Sequence, residues 1–327
     1  MMVNNPAFIR QIKINLSALC YTIDPIILML PSFSLIIPTY NRPQHLSSCL
    51  QALSCLNYPR DHYEVIVVDD GSLVPLDKVV VQFKDQLNVS LLRQENAGPA
   101  AARNYGAAHA KAEFLVFTDD DCEPVADWLR VFAAQFEKTP NVLLGGKSIN
   151  KLTNNLFSST SQLIVDIVYR HYNADPQQAR FFASNNMAMP TRYFHELGGF
   201  NTNFRTAEDR ELCDRWLASG REMIYVEKAM LHHSHALTLH SFCQQHFAYG
   251  QGAYYYHKIR RLRRSGTMVD AMKFHLNFQN WLLYPFKQVR WTKFLPLGGT
   301  LLLWQMINAA GFFSEVVKAK FNQGSAT

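Results

Sequence analysis

Two short apolar runs in this chain, Val65-Ile66-Val67-Val68 and Glu113-Phe114-Leu115-Val116-Phe117-Thr118, each end in carboxylates, and this pattern restricts the fold more than any other feature. The first delivers Asp69-Asp70 and then the turn signal Gly71-Ser72; the second delivers Asp119-Asp120-Asp121. Adjacent carboxylates repel one another, and a chain that aims three of them off one strand end offsets that cost with a hard divalent cation. Two more β-like runs lie near 33–38 and 88–92, and helical stretches separate the four. The first such stretch carries Pro43 near its start and Leu46, Cys49, Leu50 and Leu53 on one face, as an amphipathic helix does. A βαβ alternation predicts an α/β fold with a mostly parallel sheet and helices on both faces. Ligands of such sheets bind beyond the carboxyl ends of the strands, so the two acidic clusters are expected to share a cleft and meet a charged ligand there.

At 327 residues and 48% hydrophobic, the chain can bury a full core and is not a disordered polymer. The net charge of +6 matters because basic residues cluster late, at Lys258, Arg260, Arg261, Arg263 and Arg264. That run reads either as a solvated helix face or as a surface for anionic lipid or a diphosphate-linked acceptor. Nothing in the pattern points to nucleic acid. Cys20, Cys49, Cys55, Cys122, Cys213 and Cys243 show no C-x-x-C spacing and read as reduced core thiols of a cytosolic protein. The apolar stretch Ile26 to Leu30 is interrupted upstream by Asp24-Pro25 and has no cleavage pattern, which argues against a signal peptide. Residues 1–31 are expected to be an extension, flexible or the product of an overlong start at Met1 in place of Met29.

The main α/β domain is expected over 32–236. Asn96-Ala97-Gly98-Pro99 is a turn leading into an alanine-rich helix up to Lys111, whose small side chains permit close packing on the sheet. A helix follows residue 127, then a strand at Val142 to Gly146, and then an irregular region as far as Ser184. Past the turn Gly198-Gly199-Phe200, Thr206-Ala207-Glu208-Asp209 opens a helix with apolar face Leu212, Cys213, Trp216 and Leu217, ended by Gly220. From residue 237 to 327 the pattern turns helical, aromatic and basic. Phe294 to Phe313 is long enough to cross a bilayer, but Gln305, Asn308 and Glu315 form one stripe, which favours a helix lying in an interface.

Taken in order, Pro38-Thr39-Tyr40-Asn41-Arg42, Val67-Val68-Asp69-Asp70-Gly71-Ser72, Asn96-Ala97-Gly98-Pro99-Ala100-Ala101-Ala102-Arg103-Asn104 and Phe117-Thr118-Asp119-Asp120-Asp121 resemble the family 2 glycosyltransferases of GT-A fold. Asn186-Met187-Ala188, Gly198-Gly199-Phe200 and Glu208-Asp209 match the same pattern, so the resemblance runs from about residue 33 to 235. It implies inverting transfer of a sugar from a nucleotide-diphosphate donor to an acceptor hydroxyl, with Mn²⁺ or Mg²⁺. The resemblance assigns Asp119-x-Asp121 to the metal and donor diphosphate, with Asp121 as direct ligand and Asp119 also toward the sugar or ribose. Asp69 and Asp70 take the nucleobase, with Pro38, Thr39, Tyr40 and Arg42 beside it. Asn96, Gly98, Arg103 and Asp120 complete the donor site, and Asn186, Met187 and Ala188 lie on the acceptor side.

An acceptor hydroxyl is a poor nucleophile until a carboxylate takes its proton, and Asp209 is the expected base, with Glu208 beside it. Thr206 with an acid three residues later also reads as a variant capping box, which is compatible if Glu208 serves the helix dipole while Asp209 faces the cleft. His233 or His235 is expected to add a metal ligand, although a histidine cluster is more often structural. Gln244-Gln245-His246-Phe247 departs from the Q-x-x-R-W signature of polymerising synthases, so one linkage is expected and not a processive polymer. A nucleotidyltransferase would want a glycine-rich loop after the first strand, and Pro38 to Arg42 has none; a dead scaffold would not keep Asp119, Asp121 and Asp209. The expected partners are a nucleotide-diphospho-sugar, a glycan or lipid-linked acceptor, an anionic membrane face on the cytoplasmic side, and a second copy of the chain.

Overall fold

The computed structural model describes residues 30–267, 274–275 and 291–324. The chain divides at Leu30/Pro31, and the unit that follows carries every element below. Expectations for residues 1–29, including Cys20, lie outside the described residues.

The four β-like runs form β1 (Phe33–Thr39), β2 (Tyr63–Asp69), β3 (Val89–Arg93) and β4 (Phe114–Thr118). They pair in parallel in the order β3-β2-β1-β4. Alternation along each strand sorts side chains between two cores. Phe33, Leu35 and Ile37 of β1 join Val65 and Val67 of β2 on one face, under α1 (Pro43–Ser54) and α4 (Trp128–Phe136). Ile36, Ile66, Val68, Leu115 and Phe117 point the other way, toward α3 (Pro99–Ala108) and α7 (Glu208–Ala218). A short α2 (Asp77–Val81) connects β2 to β3.

Beyond β4 the sheet becomes mixed. β7 (Asn186–Pro190) pairs antiparallel with β4 and with β6 (Leu143–Asn150), β6 pairs in parallel with β8 (Met223–His233), and β8 holds the short β5 (Cys122–Pro124) antiparallel. This order brings His233 opposite Cys122, next to the acidic triplet. The region expected to be irregular before Ser184 contains a long helix, α5 (Leu156–Tyr172), capped by the Asn155 side chain on Ser158 N–H. Its first turn is rich in Ser and Thr, which favour caps and turns over helix interiors, and this hides the helix in the sequence.

α6 (Thr191–Glu196) follows β7, and the C-terminal region is built from α8 (Leu239–Arg263) and α9 (Trp291–Gly324). Leu301 and Trp304 of α9 and Phe242 of α8 close over Leu163, Ile164 and Ile167 of α5. The two helices approach through glycine: a Cβ on Gly250 would lie 2.0 Å from the Asn308 carbonyl oxygen, and one on Gly311 2.1 Å from that of Phe247. The polar stripe of α9 therefore points inward. Asn308 reaches the His246 carbonyl at 3.5 Å, and Glu315, 6% exposed, accepts from Gln251 and Tyr255 at 2.7 Å each.

Candidate active site

The carboxyl ends of β1, β2 and β4 meet as the sequence pattern implied. Asp70 N–H donates to the Thr39 carbonyl at 2.9 Å, and Asn41, at φ +55°, bonds both sides of the Ser72-Leu73 turn. Gly71 has φ +84°, and a Cβ there would sit 2.9 Å from Asn96 N, so the turn requires glycine. The Asp70 carboxylate accepts from Gln94 Nε2 and from the N–H groups of Ala97 and Gly98, at 2.7, 2.9 and 2.9 Å, while Asn96 Nδ2 donates to the Asp70 carbonyl. Asp70 thus shapes the loop that starts α3. Asp69 accepts from Ser72 N–H at 2.8 Å, and its Oδ2 is buried without a hydrogen bond. Pro38 is a buried strand residue, and Tyr40 is 46% exposed at the lip.

The triplet splits into three environments. Asp120 accepts from Thr39 Oγ1 at 2.7 Å and pairs with Arg42 Nη1 at 3.1 Å. Burial dominates there and pushes its carboxyl up to about 6. Asp121 is also buried, yet His233 Nε2 at 3.2 Å and His235 Nδ1 at 3.6 Å, with Arg42 at 3.2 Å, surround it. Burial would raise this carboxyl, but the two histidines outweigh it and hold it well below the usual range; burial lowers His233, but Asp121 raises it on balance. Asp119 is paired with Arg103 Nη2 at 2.7 Å.

Arg103 is a buried hub and not a surface arginine. Its Nη1 reaches Glu208 Oε1 at 3.1 Å, and Phe200 lies under it with the ring centroid 5.6 Å from Cζ. Asn104, the next residue, clamps Phe200 through its N–H and C=O at 2.8 Å each, so the Gly198-Gly199-Phe200 turn holds the arginine's floor. Burial disfavours the charged guanidinium, and Asp119 and Glu208 more than offset it.

Glu208 and Asp209 open α7 behind Ala207, a non-glycine residue at φ +70°. No capping box forms. Thr206 Oγ1 donates instead to the Ala248 carbonyl of α8 at 2.8 Å, which corrects that reading. Glu208 is committed to Arg103, whereas Asp209 accepts only from the N–H of Arg210, at 2.7 Å, among the hydrogen bonds of the described residues. Burial, and after it the Glu208 charge, pushes Asp209 up to about 7.

Asn186, Met187 and Ala188 are each 0% exposed. The Asn186 carboxamide accepts from Trp128 Nε1 at 2.9 Å and donates to the carbonyls of Ala229 and Lys147 at 3.0 and 3.2 Å. Expected to touch an acceptor, the three instead pin β7 in the core. The helical pattern expected from residue 237 is present as α8, but sequence reasoning did not place any of its residues at the site. His235 Nε2 lies 2.9 Å from Gln245 Oε1, and Gln245 Nε2 donates to the Tyr249 hydroxyl at 3.0 Å, so two residues of the C-terminal region reach the acidic cluster. Their i, i+4 spacing on a helix was the available signal. Cys55 is exposed and Cys243 half-buried, so not all the free thiols are core residues.

Among the described residues, Asp121, Cys122 and His233 present ligand atoms within 4.8 Å of one another. Cys122 is fully buried in the core on the α1 side of the sheet, which leaves the carboxylate and imidazoles as the donors facing the cleft. An oxygen and nitrogen set suits a divalent ion that also takes pyrophosphate oxygens.

A mostly parallel sheet flanked by helices, with a C-terminal helical segment and acids at its carboxyl edge, is the GT-A architecture of sugar transferases. The sequence matches the glycosyl transferase family 2 model over residues 34–201, and the chain belongs to that family. It is 38% identical over 120 residues to glycosyltransferase AglE of Haloferax volcanii, covering 36% of this chain and 39% of that one. It is 30% identical over 241 residues to chondroitin synthase of Escherichia coli, covering 63% and 35%. The chain therefore spans less than half the length of these relatives. Among solved structures it is similar in fold to the mannosyltransferase PcManGT from Pyrobaculum calidifontis in complex with GDP-Man and Mn²⁺, at TM-score 0.63, 19% identity and coverage of 88% and 87%. It is likewise similar to S. aureus TarS 1-349 in complex with UDP-GlcNAc, at TM-score 0.59, 17% identity and coverage of 90% and 92%.

Proposed function

We propose that this protein is an inverting, divalent-metal-dependent glycosyltransferase that makes one linkage in assembling a cell-surface glycan, exopolysaccharide or glycolipid. The observation that carries the reading is the separation of roles at the sheet edge: Asp121 is ringed by imidazoles, Arg103 ties Asp119 to Glu208, and Asp209 stands beside them with no ion pair of its own among the described residues. Asp121, with His233 or His235 and Asp119, would hold Mn²⁺ or Mg²⁺. When bound, such an ion neutralises charge on a leaving diphosphate. Asp69, Thr39 and Tyr40 border the nucleobase, and Asp70 acts by holding the Asn96 to Gly98 loop. Arg103 fixes Asp119 toward the donor sugar.

Asp209 takes the proton of the acceptor hydroxyl as its oxygen attacks the anomeric carbon; the bond from that carbon to the diphosphate oxygen breaks, and the electron pair leaves with the nucleoside diphosphate. A carboxyl whose proton affinity lies near neutrality is suited to this exchange. The acceptor is a glycan or a lipid-linked sugar met at the cytoplasmic face of a membrane. Incubation with UDP-, GDP- and dTDP-sugars in Mn²⁺ tests the reading. Metal-dependent release of one nucleoside diphosphate, with a product anomer opposite to the donor's, is expected; release without inversion would refute the inverting step.

A further inference from the structure

α8 and α9 run parallel, because their contacts climb both helices in step. His246 meets Trp304, Gly250 meets Asn308 and Phe312, and Gln251 and Tyr255 meet Glu315. With Asn308 and Glu315 turned toward α8, α9 presents Leu295, Leu302, Met306, Phe313 and Val317 to solvent, each at least 50% exposed. At 100° per residue these five fall within an arc of about 60°, a straight apolar seam about 33 Å long. The helix is apolar enough over Leu295–Phe321 to cross a membrane by length and composition. Its hydrogen bonds to α8 and its packing on α5 instead hold it along the protein's side.

Charge is segregated along the sequence to the part of the chain that carries α8 and α9. Residues 237–327 carry eleven Lys or Arg and two Asp or Glu, a net of +9, so the other 236 residues carry −3 of the chain's +6. One of the two acids is the inward Glu315. Within the basic run, Arg260 and Arg263 are neutralised by Asp214 at 3.0 and 2.7 Å, and Arg263 also by Glu211 at 2.7 Å. Lys258, Arg261 and Arg264 remain exposed around Leu262, which is 78% exposed, and Lys320 is exposed toward the end of α9.

We propose that this face docks on an anionic lipid bilayer, with the α9 seam lying in the interface plane and the Lys258, Arg261, Arg264 and Lys320 cluster over the headgroups. The inference builds on the glycosyltransferase reading in naming the surface that brings the cleft to a membrane-borne acceptor. α8 links the two, since its Gln245 and Tyr249 stand at the acidic cluster and its far end carries the cations. A second copy of the chain fits less well, because burying one such face against another sets like charges together without acids to answer them.

Flotation of the full chain with vesicles of pure phosphatidylcholine, and of phosphatidylcholine mixed with phosphatidylglycerol, tests the proposal. Binding to the anionic vesicles alone at low salt is expected. Each Lys or Arg near such a surface multiplies binding by about five, so the Lys258→Glu, Arg261→Glu, Arg264→Glu triple variant should bind at least a hundredfold more weakly. The Leu302→Ser, Met306→Ser, Phe313→Ser variant should lose the part of binding that persists in high salt. Nucleotide affinity in Mn²⁺, measured on the same proteins, should be unchanged and shows that they are folded. Undiminished flotation of the triple variant, or no flotation of the wild type, overturns the proposal. A dimer that the seam variant dissociates, without lipid binding, assigns the face to a second copy. Vesicle binding without nucleotide binding would instead count against the enzyme reading alone.

Discussion

Arg103 and Glu208 stand 105 residues apart in the chain and 3.1 Å apart in space, and the same guanidinium grips Asp119 at 2.7 Å. One side chain thus locks the acid after β4 to the first turn of α7, which carries Asp209. Replacing it with Leu would leave two carboxylates facing an apolar site, at a cost of about 3–5 kcal/mol. Arg103→Lys keeps the charge but not the fork, and is expected to recover only part of that stability while still weakening nucleotide binding. Urea unfolding and nucleotide titration on both variants measure the two effects.

Asp209→Asn should leave nucleotide affinity nearly intact and reduce turnover by about two to four orders of magnitude, the range for a lost general base. Steady-state kinetics and calorimetry on one preparation check it. Retained turnover in the folded variant would place the base elsewhere.

The raised Asp209 carboxyl sets two pH trends of opposite sign. Turnover should rise with pH through about 7, as the base ionises. Stability should fall over the same approach, because between the ordinary carboxyl range and about 7 the folded protein holds a proton that the unfolded chain releases. Asp209→Asn should therefore melt higher than wild type at pH 8 and lose that advantage near pH 4.

Asn186→Ala strands the Trp128 indole N–H and two carbonyls in the core. A loss of at least about 2 kcal/mol is expected. The folded fraction should keep its KM for acceptor, since Asn186 is fully buried; a raised KM with unchanged stability would restore it to the acceptor side.

The four parallel strands and the acids at their ends were legible because burial on both faces writes near-continuous apolar runs that stop where the chain turns. α5 was not, since Ser158, Ser159, Thr160 and Ser161 in its first turns resemble a loop until Leu163, Ile164 and Ile167 meet α8 and α9. The partner of the α9 polar stripe was not legible for a related reason. Helical period places Gln305, Asn308 and Glu315 on one face, but only the partner helix decides whether that face meets water or the Gln251 and Tyr255 side chains. Arg42 and Arg103 could be placed near the donor by motif; that one pairs with Asp120 and Asp121 and the other bridges Asp119 to Glu208 depends on loop geometry alone.

The central claim is that the cluster around Asp121 binds a nucleoside diphosphate through a divalent ion. Calorimetric titration of UDP, GDP and dTDP into wild type and Asp121→Ala, each in Mn²⁺ and in EDTA, tests it most directly. One nucleotide should bind the wild type tightly in Mn²⁺ and weakly in EDTA, with Asp121→Ala weak in both. Equal affinity of the preferred nucleotide for the wild type in the two buffers would contradict the account.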